Sequence, residues 1–365
     1  MMRDFINLPR YIYKDCQQFV PDLESDVRSM FNQKRNAGLE FCDLMPFVAY
    51  RGGKAVGRIL GIINKKANAK WNTRSVRFSL IEFVDDREVA QALLQAVEKW
   101  GSEQGMSRIE GPLGITDFDK EGMLIEDFNL SGSMTAIYNP AYYPKHMESL
   151  GYDKAVDWLQ VRVNIPKEVP AKYQRVARLA REQFRLKVHT LSREELRGDY
   201  VMRVFQLLNE CYSQLYGFSE FSKHQMQNFV RKYWLALDRR LVPVIENEEG
   251  EIIGVAVTIV SLAGALRKSN GRMWPIGWWY MAKSLWAKHE DNAEMLLVAV
   301  RKDYQGLGVN AMFFDHLIPV YNQLGIKWAE TGPQLEDNVR VLSQWKPLDP
   351  EMVKRRRCYA KAIAQ

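Results

Sequence analysis

Residues 305–310, Gln-Gly-Leu-Gly-Val-Asn, carry the strongest chemical signal in this chain. An apolar run ends at Val300, and an amphipathic helical pattern starts directly after the glycines. Glycine lets the backbone approach an anion closely, and a helix N-terminus adds free N–H groups and a partial positive charge. The pattern therefore predicts a strand, a glycine turn and a helix that together bind a phosphate or pyrophosphate group.

The elements that must position this turn follow the same order in both halves of the chain. Each half is predicted to contain a hairpin, a strand, a helix, a strand ending in Gly-Pro, a helix with an Asn near its start, and a last strand. The Gly-Pro pairs are 111–112 and 332–333, and the asparagines are Asn139 and Asn338. This order predicts an α+β fold and an internal duplication, with domains at 1–165 and 166–365.

Composition bounds the function classes. The chain has 365 residues, 47% apolar and 26% charged, and its net charge of +7 suits anionic ligands without indicating nucleic acid. Four cysteines without a CxxC pair and five scattered histidines predict no metal site and reduced thiols. The N-terminus lacks the apolar core of a signal peptide, and no apolar run reaches membrane-span length. We therefore expect a cytoplasmic protein without a membrane partner, and leave a homodimer open.

With these elements in place, the chain resembles the GNAT superfamily of acyl-CoA N-acyltransferases in a tandem form. The family's signature is Arg or Gln, two residues, Gly, one residue, then Gly or Ala. Gln305 and Gly308 match, whereas Asn310 departs, although its side chain could itself bond a phosphate. In the first half, 85–88 (Asp-Asp-Arg-Glu) replaces the turn, and its carboxylates would repel a pyrophosphate. We therefore expect a degenerate N-terminal domain.

The resemblance implies a mixed sheet flanked by helices and a donor that is acetyl-CoA or another acyl-CoA. The backbone of the strand before the turn would pair with the pantetheine arm, the turn would hold the pyrophosphate, and the Asn of the late helix would lie nearby. The implied cofactor-binding residues are Val298, Ala299, Val300, Gln305, Gly306, Leu307, Gly308, Val309, Asn310 and Asn338.

Acyl transfer to an amine needs a base for the ammonium proton and an acid for the leaving thiolate. Glu294 opens the strand before the turn, where family members often carry a Glu acting through water, and Glu330 ends the next strand. Trp345 occupies the position of the family's usual proton-donating Tyr, and Tyr359 is a candidate acid instead because it lies on the last predicted strand. The alternatives are solvated strand ends for the two glutamates and a core position for the tyrosine.

Three further segments have two readings each. The aromatic segment 272–280 lines the acceptor pocket, or it is packed in the core or between the domains. The basic helical pattern 171–187 contacts an anionic partner or presents a solvated face. The basic run 354–357 reaches the 3′-phosphate of CoA or forms a turn facing solvent.

The leading hypothesis is an acyltransferase that moves an acetyl or acyl group from acyl-CoA to an amine of a small molecule or amino acid, by direct attack in a ternary complex. One alternative is a non-catalytic acyl-CoA-binding or scaffold protein, which Asn310 and Trp345 favour. Another is an aminoacyl-tRNA-dependent transferase, which the basic helix favours and the glycine turn does not.

Overall fold

The computed structural model describes residues 1–233, 237–287 and 290–363. Its strands are β1 Cys42–Arg51, β2 Lys54–Asn64, β3 Ser75–Phe83, β4 Arg108–Gly111, β5 Met123–Leu124, β6 Asp153–Asn164, β7 Lys187–Thr190, β8 Pro243–Glu246, β9 Ile252–Val260, β10 Asn292–Val300, β11 Trp328–Thr331, β12 Gln334–Leu335 and β13 Glu351–Ala362. Its helices are α1 Met2–Ile12, α2 Glu24–Met30, α3 Lys65–Trp71, α4 Arg87–Glu103, α5 Tyr142–Ser149, α6 Ala171–Phe184, α7 Asp199–Tyr212, α8 Lys223–Tyr233, α9 Ala263–Ser269, α10 Gly277–Trp286, α11 Val309–Leu324 and α12 Val339–Ser343.

The strands form one mixed sheet in the order β1-β2-β3-β4-β13-β6-β11-β10-β9-β8-β7, which confirms the predicted mixed sheet flanked by helices. The last strand of each half, however, lies beside the other half. Strand β13 pairs with β4, where Tyr359 faces Gly111, and β6 pairs with β11, where Arg162 faces Glu330. Because β6 and β13 also pair with each other, the two halves share one continuous sheet.

The first half closes the helix end that corresponds to the glycine turn. Helix α4 begins after Asp86, whose carboxylate accepts hydrogen bonds from the N–H groups of Glu88 and Val89 at 2.9 and 3.3 Å. Arg51 bonds the same carboxylate. The free N–H groups that an anion would use are therefore bonded by the chain's own side chain.

The second half opens a cleft in its sheet. Parallel strands β10 and β11 pair from Asn292 and Trp328 only as far as Met295 and Thr331. A bulge between Met295 and Leu297 follows in the pairing of β10 with β9. Beyond it, β10 pairs on one side with β9 and, among the described strands, has no partner on its other side. The divergence of β10 from β11 exposes the edge of β10 just before the glycine turn. No helix in the described part of the chain is long and apolar enough to cross a membrane.

Candidate active site

A cavity of about 1690 Å³ lies where the two halves meet. Its wall contains the glycine turn, the open edge of β10, helices α7 and α8, and the loop 112–122 of the first half. Several of its side chains are apolar and come from the second half: Val201, Val204, Phe205, Leu208, Phe221, Phe229 and Val242. The predicted pyrophosphate turn therefore opens onto a large, largely apolar space.

The open edge of β10 presents backbone groups to this cavity. The N–H of Arg301 donates to the carbonyl of Ile253 in β9 at 2.8 Å. Because the backbone groups of successive residues in an antiparallel strand point to opposite sides, those of Val298 and Val300 point away from β9. Two carbonyls on that side have partners. The Tyr212 hydroxyl donates to Val298 O, and Gln305 Nε2 donates to Val300 O, each at 3.1 Å. The N–H groups on the same edge can pair with an extended ligand.

The glycine turn has the backbone that its sequence predicts. Gly306 and Gly308 have φ of +84° and +92°, and α11 begins directly afterwards at Val309. A Cβ on Gly308 would lie 2.8 Å from Val176 Cγ1 of α6, whereas one on Gly306 would meet open space. Position 308 therefore requires glycine for its conformation and for the approach of α6, whereas position 306 requires it for its conformation alone.

Polar side chains near the turn add to this site. Asn310 lines the cavity, and its Oδ1 is buried without a hydrogen-bond partner among the described residues. Lys172 also lines the cavity and lies one helical turn before Val176, the α6 residue nearest Gly308. Of the predicted cofactor residues in the turn, Gln305, Gly306, Gly308, Val309 and Asn310 line the cavity, whereas Leu307 is not part of its described wall. Lys172 adds a cation from the basic helix, for which the sequence left an anionic partner and a solvated face open.

Asn338 lies on the same cavity wall but already has a structural partner. Its side chain caps α12, where it accepts from the N–H of Val341 at 3.4 Å. Trp345 is buried against Phe314 and donates its indole N–H to Gln334 at 3.3 Å. The position of the family's usual tyrosine is therefore a core position here.

Glu294 holds the two halves together. It is buried and accepts three hydrogen bonds, from the N–H of Met134, the hydroxyl of Thr135 and the hydroxyl of Ser261, at 3.1, 2.8 and 2.9 Å. Burial raises the pKa of this carboxyl, although the three hydrogen bonds oppose the shift. Glu294 is not part of the cavity wall that the described residues form.

Glu330 lies directly across from Glu294 on the neighbouring strand and is also buried outside that wall. It pairs with Lys354 Nζ at 2.5 Å and with Arg162 at 3.1 Å, and it accepts from Gln160 at 3.2 Å. Both of its oxygens are therefore engaged by the chain's own cations, so the geometry favours a structural role for this carboxylate.

Tyr359 lies apart from the candidate site. It is fully buried in the apolar cluster of the first half, and its hydroxyl donates to Glu148 at 3.2 Å. Burial is the main cause that raises the pKa of this phenol. Because β13 crosses into the first half, the last strand of the chain does not bring a proton donor to the glycine turn.

Segment 272–280 is divided between its predicted readings and the surface. Trp274, Trp278 and Trp279 are exposed and do not line the cavity. Met273 does line the cavity, and Met273 and Tyr280 pack against a cluster that contains Val20 of the first half.

The basic run matches neither of its predicted readings. The run 354–357 is part of β13 rather than a turn. Lys354 and Arg356 are buried, and Arg355 and Arg357 both pair with Asp157.

Sequence reasoning missed the loop that faces the cleft from the first half. Asp117 and Glu121 line the cavity, and Oδ1 of Asp117 is buried without a hydrogen-bond partner in the described structure. Phe118, between them, stacks on Phe221 of the second half with ring centroids 4.3 Å apart. The available signal was a run of alternating acids, Asp-Phe-Asp-Lys-Glu at 117–121, shortly after the first Gly-Pro pair at 111–112.

Burial makes these two carboxyls unusual acids. It raises the pKa of Glu121 well above its ordinary value, and the charge of Asp117 adds to the shift. The pKa of Asp117 is also raised, again mainly by burial, although the buried Arg77 offsets part of the effect. The charge of Asp117 also contributes to raising the pKa of Tyr212, whose hydroxyl bonds the open edge of β10. Carboxyls with raised pKa values beside this edge are suited to exchange a proton with an amine.

The placement of Glu294 gives a prediction that separates a catalytic role from a structural one. In an assay of the acyl transfer that the sequence predicts, we expect Glu294→Gln to react within about threefold of the wild-type rate, because the amide oxygen can still accept from Met134 and Ser261. We expect Glu294→Ala to lower the melting temperature, since it removes all three hydrogen bonds. Steady-state rates and thermal melts of both variants check this. A large loss of rate in a Gln variant with an unchanged melt would make Glu294 a catalytic base.

Known proteins resemble this chain in sequence and in fold. No family model matches the chain. Protein YghO of Escherichia coli is 26% identical over 99% of this chain and 93% of its own length. A bacterial ceramide synthase of Caulobacter vibrioides is 26% identical over 83% of this chain and 79% of its own length.

Solved structures match across the whole chain. A tandem GNAT protein from the clavulanic acid biosynthesis pathway aligns with a TM-score of 0.55 at 11% identity, covering 100% of this chain and 95% of that one. A GCN5-related N-acetyltransferase from Sphaerobacter thermophilus aligns with a TM-score of 0.54 at 11% identity, covering 100% and 94% of the two chains. At such identities the likeness concerns the fold.

Proposed function

Because this chain has the tandem GNAT fold, we propose that it is an N-acyltransferase that moves an acyl group from acyl-CoA to the amine of a long-chain acceptor. One observation carries the proposal: a single cavity connects the glycine turn and the open edge of β10 with the carboxyls of Asp117 and Glu121. A donor site and an amine site thus face each other across one space.

The donor end of the cavity fits a CoA pyrophosphate. No side chain among the described residues caps the N-terminus of α11, and Gly306 leaves open space around the turn. Lys172 supplies a positive charge, and Asn310 supplies a polar side chain with no partner among the described residues. Acyl-CoA would contribute an activated thioester, and the N–H groups of Val298 and Val300 would align its extended arm.

The acceptor end of the cavity fits an ammonium group. Asp117 and Glu121 are acceptors for its N–H bonds, and in their ionised form either can take the proton that an amine must lose before it attacks a carbonyl. Their raised pKa values bring them closer to that of the amine, so the transfer is less unfavourable than it would be for an exposed carboxylate.

The size of the cavity supports a long-chain substrate rather than the amino acid or small metabolite that the sequence suggested. Pockets for small ligands typically enclose roughly 300–1,000 Å³, and this one is about 1690 Å³. Its apolar wall on α7 and α8 would accept hydrocarbon chains. A ceramide is the N-acyl derivative of a long-chain amino alcohol, so the similarity to a ceramide synthase favours an acceptor of that class.

The test is product formation with defined substrates. We expect the purified full chain to convert sphinganine and palmitoyl-CoA to an amide, seen by mass spectrometry, with matching release of CoA thiol. Parallel reactions contain lysine, glucosamine or no amine. CoA binding without turnover on any amine would favour the scaffold alternative, and turnover on the small amines alone would refute the long-chain acceptor.

A matched pair of glycine variants links that activity to the turn. We expect Gly308→Ala to weaken CoA binding roughly tenfold or more, because strain at positive φ is joined by a clash with Val176. Gly306→Ala carries comparable strain without the clash and should lose less affinity. Calorimetry with CoA measures both variants. Equal affinity of both variants and wild type would exclude the turn as the donor site.

A further inference from the structure

Helix α10 and the residues before it expose an unusual amount of aromatic surface. Trp274, Ile276, Trp278, Trp279 and Trp286 form what we name the tryptophan face, and their exposed fractions are 78%, 55%, 47%, 53% and 81%. Soluble proteins rarely leave a large contiguous apolar patch uncovered unless it binds something. None of these side chains belongs to the described wall of the cavity, so the proposed acyl transfer does not account for them.

The tryptophan face is held rigidly against the first half. The N–H of Glu24 donates to Gly271 O at 2.9 Å, and the Arg267 guanidinium donates to Phe19 O at 3.1 Å. The opposite side of α10 is buried, with Met281 packed in a cluster that includes Val20 and Leu266. The segment is therefore an ordered amphipathic platform and not a loose loop.

The charge of this segment has one sign. Residues 262–287 contain four basic residues and no acidic residue. Lys268, Arg272 and Lys283 of this segment are exposed, and of these Arg272 also pairs with Glu24 of α2 at 3.8 Å. An apolar, tryptophan-rich face bordered by lysine and arginine matches the chemistry of the bilayer interface, where indole rings lie at headgroup level and basic side chains meet anionic phosphates.

We propose that the tryptophan face docks the protein on an anionic lipid bilayer. Helix α10 has 10 residues and is about 15 Å long, far too short to span a bilayer, so it lies in the plane of the interface. The sequence predicted no membrane partner because it contains no apolar run long enough to span a bilayer. A peripheral contact at the bilayer surface does not require such a run.

The same helix connects the interface with the cavity. Met273, Met281 and Leu285 line the cavity from the side of α10 and the residues before it, while the tryptophans point outward. A docked protein would therefore hold its cavity directly above the lipid, within reach of a long-chain substrate. This consequence rests on the proposed function, but the docking itself does not.

Flotation of the full chain with lipid vesicles tests the docking. We expect binding to vesicles of phosphatidylcholine and phosphatidylglycerol (70:30) and much weaker binding to pure phosphatidylcholine. The variant Trp274→Ser with Trp286→Ser should float far less than wild type, while its circular dichroism and melt stay unchanged because these two side chains are 78% and 81% exposed. No acyl donor is present, so failure here and failure of the transferase assay are distinguishable.

A charge-matched pair of variants tests the lysines. Lys268→Gln with Lys283→Gln should weaken vesicle binding roughly 30-fold, since each basic residue near an anionic surface contributes close to a fivefold gain. Lys54→Gln with Lys99→Gln removes the same charge from exposed positions of the first half and should leave binding unchanged. An equal loss of vesicle binding in both pairs of variants would show that binding depends only on the net charge of the protein, which would overturn the proposal.

Two other outcomes would also overturn it. One is a folded wild type that does not float with the anionic vesicles. The other is a dimer in light scattering that the tryptophan-to-serine variant abolishes, with no vesicle binding, which would assign the face to a second copy of this chain.

Discussion

Replacing Glu330 by alanine is expected to lower the free energy of unfolding by about 3–5 kcal/mol, because it strands the buried ammonium of Lys354. Lys354 is 2% exposed, and its Nζ donates to the carboxylate of Glu330 at 2.5 Å. A buried charge without a partner is far more costly than the pair is stabilising. Urea unfolding followed by circular dichroism measures the difference.

The pH dependence of this variant has a defined sign. Burial lowers the pKa of Lys354, and Glu330 opposes that shift. Without Glu330 the opposition is lost, so the folded variant binds its proton less tightly than the unfolded chain does. Stability of Glu330→Ala should therefore rise as pH increases from 7 towards 10, where the unfolded chain also loses the proton.

Two controls bracket this prediction. The double variant Glu330→Met with Lys354→Met removes both charges and should recover much of the loss. Glu248→Ala breaks an ion pair with Arg185 in which both side chains are largely exposed, and it should change stability little. If Glu330→Ala costs no more than Glu248→Ala, the buried pair is not a stability determinant.

The same pair illustrates what a sequence can and cannot reveal about this fold. The strand–turn–helix at Gln305–Asn310 was predictable because glycine conformation and helix start are local properties. The surroundings of Lys354 were not, because they depend on β13 crossing between β4 and β6. A run of four basic residues resembles a surface cluster until a strand places alternate members inside the sheet.

Long-range placement also decided the candidate site. Glu294 and Glu330, predicted as candidate bases on successive strands, are register partners on parallel strands, but neither belongs to the described cavity wall. Most of their hydrogen bonds come from residues of the other half more than a hundred positions distant, and the two nearer partners, Ser261 and Lys354, are 33 and 24 residues away, so no local pattern could show that they are already occupied. Asp117 and Glu121 were overlooked for the converse reason: an acidic loop is usually solvated, and only contact with α7 and α8 places it on a cavity.

Changing these two acids should have the largest effect on catalysis. We expect Glu121→Gln with Asp117→Asn to lower the rate of amide formation by roughly 10²–10⁴-fold, the usual contribution of a positioned proton acceptor. Affinity for acyl-CoA should persist, because the glycine turn and β10 are untouched. Rates from mass spectrometry and affinities from calorimetry separate the two effects.

The pH profile makes that assignment specific. An acid with a raised pKa must ionise before it can accept a proton, so the wild-type rate should climb as pH rises through the raised pKa values of Asp117 and Glu121. The rate of the double variant should no longer rise with pH in this way. Glu126 is an exposed acid outside the described cavity wall, so Glu126→Gln should keep both the wild-type rate and its rise with pH. A double variant that retains the wild-type profile would show that the amine loses its proton to another group or to solvent. Tyr212, which lines the cavity and whose hydroxyl bonds the open edge of β10, would then be the next group to test.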